Sequence, residues 1–170
     1  MVAKEPPMNG TTVDGEIVLR AARAGDGQAL YDVTAQSVQG LAKTHYKREQ
    51  LAGWMGERTA KYYEDVIAAG RAVIAEEKGE VFGFVDSAPG EVTRLFVLPK
   101  AAGRGLGERL LKVGIEAAAK EYSGPIKIES TLNAQRFYER HGFRAIQKGY
   151  FSHGVGGEPI EIILMEMVRT

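Results

Sequence analysis

The chain contains no cysteine. That excludes a disulfide framework, thiolate zinc sites and a cysteine nucleophile, and it fits a reducing, cytoplasmic setting. Charge of one sign is also missing: 22 lysines and arginines stand against 22 aspartates and glutamates. A nucleic acid or an anionic membrane as partner favours a clustered basic excess, so neither is expected. No apolar run approaches membrane-spanning length. The stretch from Met1 to Gly15 carries Pro6, Pro7 and Gly10 and lacks the apolar middle of a signal peptide. Residues 1–15 read as a disordered leader ahead of a single domain, 16–170. The histidines His45, His141 and His153 show no metal-ligand spacing, so no metal is expected.

With 170 residues, 44% of them hydrophobic, the domain can build a core without covalent staples. Glu16–Ala22 alternates as a strand. Asp26 suits the start of a helix through Leu30, Val33 and Val38. A second helical region spans about Lys47–Ala69, with its continuity in question at Gly53 and Gly56. Three strands follow, Arg71–Glu77, Val81–Asp86 and Glu91–Leu98, the first two joined by the tight turn Lys78-Gly79-Glu80. The strongest helix has Leu106, Leu110, Val113 and Ala117 on one face. Pro125–Ser130 reads as a strand and Asn133–His141 as a short helix closed by Gly142. Phe143–Phe151 and Pro159–Val168 are the closing strands, with a glycine-rich loop at Ser152–Gly157. The strand–helix–strand crossover from Glu91–Leu98 to the Ile126 strand makes those two strands parallel neighbours in a mixed sheet.

The stretch from Leu95 to Gly107 carries the main chemical signal: strand, proline stop at Pro99, glycine turn, helix start. Gly103, Gly105 and Gly107 let backbone approach a ligand with N–H groups outward. The first turn of a helix adds unpaired N–H groups and partial positive charge, a seat for a diphosphate. Arg104 and Arg109 add charge there. A dinucleotide fingerprint wants glycine where Glu108 stands, and no Gly-Lys-Ser/Thr triplet makes a nucleotide P-loop. A glycine turn that only packs a helix on a sheet is the plain alternative.

This loop, with the valine and proline before it and the leucine after it, resembles the pyrophosphate loop of the GCN5-related N-acetyltransferases (GNAT). A second segment, Ala134-Gln135-Arg136-Phe137-Tyr138-Glu139-Arg140-His141-Gly142-Phe143, resembles that family's other hallmark, an aromatic–tyrosine pair followed by Gly-Phe. One helix and one strand separate the two motifs, as in the family. The resemblance is strong over Glu91–Phe143 and looser outside it. Two departures stand out. Ala102 occupies a place where Arg or Gln is common, and the usual asparagine position corresponds to Thr131, with Asn133 next to Ala134 instead.

The resemblance implies an α/β (α+β) single-domain fold, a mixed, mostly antiparallel sheet of about six to seven strands with helices on both faces. It implies an acetyl-coenzyme A-dependent N-acetyltransferase working by direct attack in a ternary complex. A non-catalytic acyl-coenzyme A sensor of the same fold is the alternative. Acetyl-coenzyme A would be held by Leu95, Phe96, Val97 and Leu98 along the pantetheine arm, by Ala102, Gly103, Arg104, Gly105, Leu106, Gly107 and Glu108 around the diphosphate, and by Asn133. A backbone amide of Phe96–Leu98 would donate to the thioester oxygen, and Tyr138 would hydrogen-bond the leaving sulfur. An amine with the pKa of a free lysine pays about 4–5 kcal/mol to lose its proton at pH 7, so a base is expected. Glu129 and Glu91 are the candidates, each with a plain reading as a solvated strand-end charge. The acceptor is an amine of unknown identity. Tyr46 and Trp54 are candidate acceptor contacts, with His45, Tyr62, Tyr63 and the loop after Phe151 nearby; aromatics at this spacing also serve as core. Self-association as a homodimer is left open.

Overall fold

The computed structural model describes residues 16–41, 46–153 and 159–169. The expected leader, His45 and residues 154–157 of the glycine-rich loop lie outside them.

The chain opens with β1 (Val18–Ala21) and α1 (Gly27–Leu41). The helical region expected over 47–69 is two helices, α2 (Arg48–Met55) and α3 (Ala60–Ala68). Gly53 stays inside α2, and the break falls at Gly56, whose φ of 36° disfavours side-chain-bearing residues. Thr59 caps α3, its hydroxyl accepting from the Tyr62 N–H at 3.2 Å. Next come β2 (Val73–Glu77), β3 (Glu80–Ala88) and β4 (Glu91–Val97). The β2–β3 turn places Lys78 and Gly79 at φ 53° and 83°, the left-handed pair a two-residue hairpin uses. A 3₁₀ turn at Pro99–Ala101 leads to α4 (Leu106–Ala119), then β5 (Ile126–Thr131). A second 3₁₀ turn at Leu132–Ala134 precedes α5 (Gln135–Arg140), so the expected short helix has two parts. The strands β6 (Arg144–Tyr150) and β7 (Glu161–Met167) close the chain.

The seven strands form one sheet in the order β1-β2-β3-β4-β5-β7-β6. Every pair is antiparallel except β4–β5. The mixed, mostly antiparallel sheet thus matches the expectation, and β7 inserts between β5 and β6. Phe84 and Val85 alternate across the sheet. Val85 meets α4, where a Cβ on Gly114 would stand 2.6 Å from its Cγ2. Phe84 packs edge-on against Tyr63 of α3. Most of the core lies between these layers: Leu30, Val33, Tyr63, Ile74, Phe84, Val85, Leu106, Leu110, Ile126 and Met165 belong to one buried cluster. Val38, Tyr46, Trp54, Ile160 and Ile162 form a second, near the start of β7.

Two irregularities of β4 shape the site. It is registered with β5 only at Glu91–Lys127 and Val92–Ile128, although β4 continues to Val97 and β5 to Thr131. Beyond Val92 and Ile128 the strands part into a wedge. Against β3, Asp86 faces Arg94 whereas Ser87 faces Val92, so Thr93 is an extra residue, a β-bulge.

Candidate active site

The wedge holds a cavity of about 100 Å³ that opens to solvent. One wall is Thr93, Arg94, Leu95 and Phe96 of β4; Ile128, Glu129 and Thr131 of β5 face it. Ser37, Val38, Trp54, Phe151, Asn133, Ala134 and Tyr138 complete the lining.

The direction of the β4 amides follows from the register. Leu98 donates its N–H to Phe82 O at 2.8 Å. In an antiparallel ladder such pairs alternate with pairs whose N–H groups point away. Counting back from Leu98–Phe82, the amides of Phe96 and Arg94 are spent on Phe84 and Asp86 of β3. Those of Val97 and Leu95 turn toward the wedge. Among the Phe96–Leu98 amides considered for the thioester oxygen, Val97 alone has this direction, and Leu95 joins it.

Past Leu98 the chain makes its 3₁₀ turn and passes Gly103 and Gly105 at φ 85° and 75°. A Cβ at either would meet nothing within 4 Å, so these glycines are required by the backbone and not by crowding. The first helical backbone bond here is Arg109 N–H to Gly105 O, 3.2 Å. The amides of Gly103, Gly105, Leu106, Gly107 and Glu108 find no acceptor among the described residues. They form the donor cradle that a diphosphate fits. Arg104 lies 3.6 Å from Glu77, and Glu108 lies 3.9 Å from His141. Ala102 is exposed and extended at φ −64°. Asn133 lines the wedge with Oδ1 buried and unpartnered, an acceptor suited to an amide-bearing arm.

Tyr138 is 6% exposed, its ring packed against Phe137 at 5.1 Å and Phe143 at 5.8 Å. Its hydroxyl has no partner among the described residues, and the residue lines the wedge. Burial pushes the phenol well above its usual pKa, so it stays a protonated donor. Glu129 also lines the wedge. Ser152 holds it at both oxygens, N–H to Oε1 at 2.8 Å and hydroxyl to Oε2 at 2.6 Å. Glu91 does not reach the cavity lining and bonds His153 Nε2 at 2.9 Å. His141 is a helix-end residue, its Nδ1 bonding Phe137 O at 2.8 Å.

Trp54 forms part of the cavity wall, its indole N–H buried without a partner. Tyr46 lies outside that lining. Its hydroxyl donates to Glu161 O at 2.6 Å and accepts from Leu132 N–H at 2.9 Å, tying α2's approach to β7 and to the start of the second motif. Burial raises its pKa as well. Sequence reasoning missed Ser37, Thr93, Arg94 and Phe151 in the lining, and Arg58 behind it. No local pattern marks them: they converge from α1, β4, the end of β6 and the α2–α3 turn.

A family model described as "Acetyltransferase (GNAT) domain" matches residues 42–164. Among solved structures, a GCN5-related N-acetyltransferase from Rhodopseudomonas palustris superposes with a TM-score of 0.82 at 22% identity, over 94% of this chain and 100% of that one. The PaiA N-acetyltransferase of Thermoplasma acidophilum, solved with coenzyme A, gives 0.73 at 18%, over 91% and 99%. Arabidopsis thaliana Naa50, solved with the bisubstrate analogue CoA-Ac-MVNAL, gives 0.61 at 19%, over 90% and 99%. At such identities the likeness shows a shared fold.

Proposed function

Since the chain belongs to the GNAT acetyltransferase family, we propose that it is an acetyl-coenzyme A-dependent N-acetyltransferase in which an amine attacks directly within a ternary complex. The observation that carries this reading is the convergence in one wedge of an open β4 edge, the Tyr138 hydroxyl and the Glu129 carboxylate. The bound cosubstrate supplies an acetyl carbon activated by its thioester. The chain's own groups do the rest. The Gly103–Glu108 amides hold the diphosphate at the start of α4. The Leu95 and Val97 amides complete the unpaired β4 edge along the pantetheine arm, and one of them donates to the thioester oxygen as charge builds there. Asn133 Oδ1 accepts from the arm. Tyr138 donates its O–H to the leaving sulfur. Glu129 takes the proton of the incoming amine, and its bonds from Ser152 fix where that carboxylate stands.

The test is release of coenzyme A thiol from acetyl-coenzyme A across a panel of amines, amino acids and peptides, with mass spectrometry of the acetylated product. Thiol release that depends on an amine supports the assignment. Tight coenzyme binding with no product from any amine would favour a sensor instead.

A further inference from the structure

Building on the acetyltransferase reading, we propose that the acceptor is a free α-amino acid with an apolar side chain, its carboxylate bound by Arg94. The starting point is a charge imbalance on the α1–α3 side of the wedge. Arg58 and Arg94 both lie against the Tyr62 ring, their guanidinium carbons 5.2 and 5.7 Å from its centroid. Arg94 has one carboxylate partner, Asp86 at 2.9 Å, and also donates to the Tyr62 hydroxyl at 2.7 Å. Arg58 is 4% exposed. It donates to the Tyr63 hydroxyl at 3.0 Å and to His153 O at 2.9 Å, and no carboxylate pairs with it among the described residues. The other carboxylates of this face, Glu91 and Glu129, are bonded to His153 and Ser152. Asp86 is therefore the one carboxylate that either guanidinium pairs with among the described residues, through Arg94 alone, and burial, outweighing Arg94, pushes that carboxyl above its usual pKa. Buried charge without a counter-ion is costly.

Hydrogen bonding points the same way. The Nε–H groups of Arg94 and Arg58 and the indole N–H of Trp54 are buried without partners, three donors against one unpartnered acceptor on this side, Asp86 Oδ1, and Arg94 and Trp54 line the cavity. A polyamine or a lysine side chain brings only donors and leaves both unmet beside a guanidinium. A carboxylate brings the missing negative charge and the lone pairs. Glu129, of opposite sign, lines the same cavity and suits the amino group. Trp54, Phe96 and Phe151 form an aromatic wall, with Trp54–Phe151 and Trp54–Phe96 centroids at 5.4 and 6.3 Å, against which an apolar side chain rests. The amino group passes one proton to Glu129 and its nitrogen attacks the acetyl carbon. The C–N bond forms as the C–S bond breaks. The sulfur leaves as thiolate beside Tyr138 and takes, through solvent, the proton given up by the new amide nitrogen. The products are an N-acetyl amino acid and the free thiol.

The experiment compares phenylalanine with phenylalaninamide, 2-phenylethylamine, spermidine and a peptide with a free N-terminus. Two readouts are taken on the full chain: thiol release, and quenching of Trp54, the single tryptophan, in the presence of coenzyme A. Phenylalanine is expected to exceed its amide and its decarboxylated analogue by about 10- to 100-fold in kcat/KM, as a charge-assisted bond implies. Arg94→Gln should erase that difference by raising the KM of the amino acid, with Arg94→Lys restoring part of it. If neither variant folds, the ligand series alone decides. Equal or better use of the amine, the polyamine or the peptide overturns the inference and leaves the transferase reading standing. Carboxylate-dependent quenching without thiol release upholds the site and sinks the transferase. Neither signal with any ligand refutes the inference.

Discussion

Replacing Tyr138 by phenylalanine removes one oxygen from the wall of the wedge and keeps the ring between Phe137 and Phe143. The lost hydroxyl has no partner among the described residues, so no internal hydrogen bond disappears with it. Stability should stay within about 0.5 kcal/mol of the parent, a melting shift of no more than about 2 °C for a chain of this size. Turnover should respond far more. As the C–S bond breaks, negative charge gathers on sulfur, and a hydrogen bond to a charged partner contributes about 1.5–3 kcal/mol, or about 10- to 150-fold in rate. Because that bond strengthens in the transition state, kcat should fall while the Kd of acetyl-coenzyme A hardly moves. Burial holds the phenol's pKa well above its usual value. The donor therefore keeps its proton throughout the assay range, and the parent-to-variant ratio should be flat between about pH 6 and 9. Single-turnover thiol release, coenzyme calorimetry and a thermal melt give the needed quantities. Full turnover combined with a markedly lower melting temperature would refute the reasoning and make the hydroxyl structural.

The phosphate seat can be probed by Gly105→Glu. A Cβ there meets no atom, but φ 75° strains a side-chain-bearing residue by about 1–2 kcal/mol; the chain should fold with a lower melting point while calorimetry shows coenzyme affinity down by at least about 100-fold. Glu129→Gln should cut turnover about 100-fold at neutral pH, with a smaller deficit at high pH where the amine loses its proton unaided; a pH-independent rate equal to the parent's would transfer the role to water or Glu91. Tyr46→Phe strips the Leu132 N–H and the Glu161 carbonyl of their shared hydroxyl, and urea denaturation should show a loss of about 1–3 kcal/mol. Asp86 has its pKa raised chiefly by burial, so the folded state binds more proton than the unfolded one between the ordinary aspartate value and the raised one, and stability falls as pH rises through that window. Asp86→Asn lacks that slope, so its stability deficit relative to the parent should shrink as pH rises there, and a constant deficit across pH would contradict the burial argument.

Local chemistry explains what was legible in the sequence. Pro99, the alternating glycines and the apolar face of α4 announce a strand, a loop and a helix start within about a dozen residues, and the phosphate seat proposed for the loop depends on backbone directions that glycine permits. The short helix carrying Tyr138 and the positive-φ Gly142 that follows it were equally readable as local structure. The splitting of 47–69 was half legible. Both Gly53 and Gly56 are helix-weakening residues, and only the backbone shows that Gly53 is tolerated inside α2 whereas Gly56 takes a positive φ. The bulge at Thr93 was not legible, because it exists only as a mismatch between β3 and β4 registers. It nonetheless decides which side chains enter the wedge, since after it Arg94 faces Asp86 and the helices.

The acceptor side stayed hidden for a related reason. Arg58 and Arg94 are 36 residues apart and meet on one tyrosine ring. Glu129 and Ser152 meet across 23 residues, and Glu91 and His153 across 62. Read singly, each is an ordinary charged or polar residue at an element's end. Once β4 and β5 part after two paired residues, a continuous sheet can no longer satisfy the exposed edge, and whatever enters the gap must supply both backbone-like acceptors and donors. In the proposed complex an extended amide arm would do so from the α4 side. From the other side the requirement is set by side chains that the parting strands leave behind: an unpartnered Arg94 Nε, an unpartnered indole N–H and a carboxylate held by Ser152. On the proposed reading, the same break in the sheet creates the edge that the coenzyme would pair with and exposes the groups that would recognise the acceptor. Substitutions that lengthen the β4–β5 pairing should accordingly weaken binding of both partners together.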